Sequence, residues 1–115
     1  MENILNSTKK LLGIPEDYTE FDADILMHIN SVFAGLYQMG IGPSSGFVAN
    51  VDSLWTDYTT NANAIELLKT YIFFKVRLAF DPPTNGAHIE SLKKMIDENE
   101  FRLRSFVDWG GTDVI

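Results

Sequence analysis

The chain has 115 residues, is 45% hydrophobic and 12% aromatic, and carries a net charge of −7. That is enough apolar material for one compact core, and the absence of cysteine excludes disulfides and thiolate metal sites. No basic n-region precedes an apolar run, and Lys69, Lys75 and Arg77 interrupt the longest apolar stretch, so neither a secretory precursor nor a membrane span is expected.

Punctuation along the chain predicts an all-α fold. Residues 2–12 read as a short helix with Ile4, Leu5, Thr8, Leu11 and Leu12 inward and Lys9-Lys10 as a solvated face. Gly13 fits the position just past a helix end, and Pro15 follows it. After a polar linker over 16–21, Asp22 is the expected N-cap of a second helix. Ile25, Ile29, Val32, Leu36 and Met39 make its inner stripe, and Gly40 ends it. The segment 41–51 is predicted to be a protruding loop or short hairpin, because Gly42, Pro43, Ser44, Ser45 and Gly46 favour a turn and Phe47-Val48 is short for a strand. Asp52 or Ser53 would cap a short helix through Leu54, Trp55 and Tyr58.

Asn61 or Asn63 opens the most informative stretch, Ala64 to Pro83. Ile65, Leu68, Ile72, Val76 and Ala79 fall on one helical face, while Leu67, Tyr71, Phe74 and Leu78 fall on an adjoining one. Two apolar faces demand cover on nearly all sides, and the expectation is that another subunit supplies part of it. The second face is therefore the candidate subunit interface, the alternative being that all four residues belong to the monomer core. Asp81-Pro82-Pro83 stops this helix and sets its angle to the last one, since proline removes a donor and disfavours helix in the residue before it. Beyond Thr84-Asn85-Gly86, a final helix to about Val107 has Ile89, Leu92, Ile96, Leu103 and Phe106 inward, with Lys93, Lys94, Asp97, Glu98 and Glu100 outward. The two long helices would form an antiparallel hairpin within a bundle of four to five helices. Residues 1–107 make a single domain, and 108–115 a flexible tail.

Charge is distributed unevenly. Residues 1–60 hold two lysines against eight acids, a net of −6, whereas residues 61–115 are near balance at −1. An acidic surface repels a phosphate backbone, and Lys93, Lys94, Arg102 and Arg104 share their helix with acids, so specific DNA binding is disfavoured. Such a surface suits a passage through which DNA slides without sticking, or simply solubility. No catalytic residue, metal ligand set or cofactor site is expected. His28 and His88 lie in different helices, His28 at a helix boundary or on the surface. Ser44-Ser45 has no partnered base, and Gly40-Ile41-Gly42 lacks the strand and third glycine of a dinucleotide fingerprint.

The ordered combination Phe21-Asp22-Ala23-Asp24, Gly40-Ile41-Gly42-Pro43 and Phe80-Asp81-Pro82-Pro83, within the runs 11–43, LWTDY, 67–83 and FRLRSF, resembles the small head–tail connector, or adaptor, proteins of siphophages and of prophages in Gram-positive bacteria. The resemblance spans about residues 4–107. It implies a structural virion protein, assembled in the bacterial cytoplasm and located at the head–tail junction. As a ring under the portal protein, monomeric or not when free, it would extend the DNA channel and dock a stopper or tail-completion protein. Gly42 to Phe47 would then reach the channel or the next component, or else form a merely mobile loop. Trp109, Val114 and Ile115 would dock the tail on the portal as an added strand, or the tail would be an ordinary frayed terminus. The alternative reading is a small helical interaction or regulatory module outside the virion.

Overall fold

Five α-helices make up the computed structural model, which describes residues 2–105: α1 (Ile4–Leu12), α2 (Asp22–Gln38), α3 (Trp55–Tyr58), α4 (Ala62–Phe80) and α5 (Gly86–Arg104). The all-α expectation is met, and no strand forms among the described residues. A single bridge pairs Asn3 with Leu54, where the start of the chain lies antiparallel to the approach to α3. There Ile4 N–H donates to Ser53 O at 2.9 Å and Trp55 N–H to Glu2 O at 3.3 Å.

α4 is the central element, and α1, α2 and α5 all pack against it. Its start is set by Asn61, whose Oδ1 accepts from the backbone N–H groups of Asn63 and Ala64 at 3.0 and 3.1 Å. Those N–H groups have no intrahelical partner, so the side chain supplies one. Ala64, Leu68, Tyr71, Ile72 and Val76 are buried, whereas Ile65 is half-buried and Ala79, near the C-terminal end, is exposed. The helix stops at Phe80, ahead of Pro82-Pro83, and α5 restarts under an Asn85 cap that accepts from Ala87 N–H at 2.8 Å. α4 and α5, 19 residues each and about 28 Å long, form the expected hairpin. Leu92, Ile96, Asn99 and Leu103 of α5 are buried, Ile89 is half-buried, and Phe106 lies outside the described residues.

α1 corrects the sequence reading twice. Leu11 is 48% exposed, and Lys9, expected in solvent, is 1% exposed. Lys9 Nζ donates to the carbonyls of Glu16 at 3.0 Å and Tyr18 at 2.7 Å, and lies 2.8 Å from Asp22 Oδ1. Two carbonyls accept hydrogen bonds and the carboxylate supplies the countercharge, which is what a buried ammonium requires. The same contact changes the role of Asp22. It does not cap α2, which begins after Phe21 without a side-chain cap; Asp22 is a first-turn acid that faces Lys9. The cap expected of Asp52 or Ser53 is also absent. Instead Leu54 precedes α3 and its N–H donates to Asp57 Oδ2 at 2.8 Å, while Ser53 Oγ accepts from Asn50 N–H. Gly13 behaves as read: at φ +81° it ends α1, with Gly13 and Ile14 N–H donating to Lys10 and Lys9 carbonyls.

Candidate interaction surfaces

Three surfaces carry the residues singled out by sequence. The first is the second face of α4. The structure divides its four candidates: Tyr71 is 1% exposed, while Leu67, Phe74 and Leu78 are only half-buried. Tyr71 belongs to the core of its own chain, and its hydroxyl donates to Glu100 Oε2 on α5 at 3.1 Å. Leu67, Phe74 and Leu78 remain accessible to a neighbour even though three helices already surround α4. Beside Leu78, a groove of about 380 Å³ runs between α4 and α5, lined by Lys75, Leu78, Ala79, Lys93, Ile96 and Asp97.

The second surface is the 41–51 segment, which forms no hairpin and folds back on the bundle. Phe47 packs edge-on against Phe33 and Tyr58, with ring centroids 5.0 and 5.3 Å apart. Farther on, Asn30 acts as a surrogate strand: Ala49 N–H donates to its Oδ1 at 2.7 Å, and its Nδ2 donates to Ala49 O at 3.0 Å. Ile41, Gly42 and Ala49 are buried and Pro43, Gly46 and Phe47 are half-buried, which leaves Ser44, Ser45, Val48, Asn50 and Val51 as the exposed part. Phe47 is thus an anchor of the loop, and the surface offered outward is smaller than the sequence implied. Replacing Asn30 with Ala is expected to cost about 1–2 kcal/mol. Faster hydrogen exchange at the Ala49 amide, with the helices unaffected, would identify the loop as the part released.

Aromatic contacts join two of the sequence motifs. Phe21, ahead of α2, meets Phe80 at the end of α4 edge-on, with ring centroids 5.4 Å apart. Tyr18 continues the cluster at 5.6 Å from Phe21. His28, expected at a boundary or on the surface, lies within α2 and is half-buried, its ring 6.3 Å from that of Phe80. The third surface, with Trp109, Val114 and Ile115, falls outside the described residues.

Burial pushes the Tyr58 hydroxyl well above its ordinary range, and burial, with help from the Glu100 carboxylate, does the same for Tyr71. A raised folded-state pKa contributes stability that is fully present below the unfolded value of about 10 and is lost as pH climbs toward the folded one. The unfolding free energy from urea denaturation is therefore expected to fall above about pH 10, by up to about 1.4 kcal/mol per pH unit for each of the two phenols. Tyr58→Phe and Tyr71→Phe should each flatten that decline, and an unchanged slope would contradict the assignment.

Among the described residues no group of three or more His, Asp or Glu side chains could hold a metal ion, and no helix is long and apolar enough to cross a membrane. What the chain presents is a central helix with apolar residues left over, an anchored loop and a charged hairpin. These are the features of a helical structural module. The chain belongs to the phage connector protein family, whose family model matches residues 4–108. It is accordingly a phage structural connector, a virion component of the head–tail junction. No curated protein and no solved structure matches the chain.

Proposed function

We propose that the chain assembles as a ring under the portal, extends the DNA channel, and docks a stopper or tail-completion protein. The observation that carries this reading is the surplus apolar surface of α4. Leu67, Phe74 and Leu78 pack against the core yet stay half-buried on a helix already covered by α1, α2 and α5, which leaves apolar surface that a neighbouring molecule can cover. Membership of the connector family makes a neighbouring copy the natural source. The acidic surplus of residues 1–60 supports a channel wall that lets DNA pass, because an anionic surface releases no counterions from the phosphate backbone. Trp109, Val114 and Ile115 would contact the portal, with Ser44 and Ser45 at the loop tip meeting the next component. The same reading places the chain among the siphophage and prophage adaptors.

Light scattering across a concentration series, with and without purified cognate portal, tests the reading. Ring-sized mass or stoichiometric capture on the portal is the expected result. A chain that stays monomeric and ignores the portal at high concentration would overturn it and leave an interaction module of other function. A connector can remain monomeric until its template is present, since one weak contact per neighbour does not close a ring. The arm with portal is therefore decisive.

A further inference from the structure

Residues 25–51 contain no Asp, Glu, Lys or Arg, although such residues make up 22% of the chain. The structure gathers this run on one side of the molecule: α2, and the loop that Asn30 and Tyr58 bind back beside it. Along α2, Met27, Ser31, Ala34 and Gln38 are all exposed and recur at four-, three- and four-residue steps, which makes one continuous ridge. Tyr37 and Val48 flank it, and the exposures of Met27, Tyr37 and Val48 are 61, 52 and 78%. An uncharged ridge on a protein of net charge −7 has a particular electrostatic meaning. Two copies of the chain repel through most approaches, and contact costs least where one of them presents no charge. A phosphate backbone would find no cation there.

A ridge needs a hollow. The α4–α5 groove is concave, with an apolar floor of Leu78, Ala79 and Ile96 between Lys75, Lys93 and Asp97. Since α2 and α5 each pack on α4, ridge and groove are separate surfaces of one copy. Two unlike complementary surfaces give a head-to-tail contact that repeats from copy to copy. Methionine, flexible and polarisable, suits an irregular hollow of this kind.

We propose that the uncharged ridge of α2, built on Met27, Ala34 and Tyr37, seats in the α4–α5 groove of a second copy of this chain. The proposal rests on the ring reading above and adds which two surfaces meet. The chain has no cysteine, so single-cysteine variants of the full chain are clean reporters. Met27→Cys or Ala34→Cys is mixed with Ala79→Cys or Lys93→Cys under conditions where light scattering shows association, then mildly oxidised. At least one mixed pair should give disulfide-linked dimer about tenfold above either variant alone, because the bond forms only when the Cα atoms come within about 7 Å. A carboxylate set into the ridge by Ala34→Glu should weaken association by about tenfold or more, with helical content and thermal midpoint retained. Association without any mixed-pair dimer, or unaffected by Ala34→Glu, would refute these surfaces and leave the ring reading intact. A chain monomeric at every concentration and on the portal would remove both.

Discussion

Replacing Lys9 with Ala is expected to destabilise the protein by about 3 kcal/mol, a fall in thermal midpoint on the order of 10 °C for a chain of this size. The side chain is 1% exposed, donates to the carbonyls of Glu16 and Tyr18, and pairs with the carboxylate of Asp22. Removing it leaves two carbonyls and the Asp22 carboxylate without their cation at a partly buried site, so part of the desolvation cost of each is no longer offset. Asp22 is itself 20% exposed, so Asp22→Asn should cost distinctly less, because the ammonium keeps both carbonyls. The cost should appear in the linker as well as in the global midpoint. Lys9 is what holds the 16–18 turn against α1, so limited proteolysis of Lys9→Ala should cut first between α1 and α2. Equal loss in Lys9→Ala and Lys10→Ala would mean that Lys9 contributes no more than an exposed lysine.

Gly42→Ala is the second large effect, expected to cost about 3–4 kcal/mol. Two terms add. The residue has φ +90°, where a Cβ costs roughly 1–2 kcal/mol, and an added Cβ would lie 2.6 Å from Tyr58 Cζ and closer still to its hydroxyl oxygen. Tyr58 cannot retreat. It is 2% exposed, packed on Phe33 with centroids 4.8 Å apart and on Phe47 at 5.3 Å. Overpacking of that kind adds roughly 1–3 kcal/mol. Gly13→Ala is the control. Its φ of +81° brings the same strain, but nothing lies within 4 Å of the added methyl, so the cost should be about 1 kcal/mol. Chemical denaturation of the two variants side by side decides the matter, since equal midpoints would show that the Tyr58 approach does not constrain Gly42. Because Tyr58→Phe removes only the oxygen, the double variant should regain little.

Much of this architecture was legible in the chain, and the reasons are local. Asn61 and Asn85 announce helix starts because their short side chains reach the free N–H groups of the next turn. Gly13 and Gly40 announce helix ends because their backbones turn to positive φ. Pro82-Pro83 makes a stop wherever it occurs. The buried stripes of α2 and α5 follow from helical period, as does most of α4. The misreadings within α1 have one cause in common: a helical wheel gives directions around an axis, not what lies in each direction. Lys9 and Leu11 flank the Ile4–Leu5–Thr8–Leu12 stripe at similar angles. Which flank is buried depends on where the 14–22 segment crosses, and it crosses over Lys9.

The candidate surfaces divide in the same way. Periodicity found both faces of α4 but could not assign Tyr71 to its own chain, because that depends on Glu100, 29 residues away. The 41–51 segment has the composition of a loop, and it is one. Its anchoring through Phe47 and through Asn30 requires α2 and α3 to be in place first, and no window of neighbouring residues contains that information. The same limit hid the meeting of Phe21 with Phe80, which unites two motifs that lie 59 positions apart in the sequence. Sequence by itself determined the helices, the Asn61 cap, the Gly13 and Pro82-Pro83 stops, the uncharged run at 25–51 and membership of the connector family, because each depends on residue order alone. Tertiary structure decided which apolar residues α4 keeps for itself, which lysine is buried, and which surfaces stay open to a neighbour. Those outcomes depend on distances between residues far apart in the chain, and only the folded chain sets them.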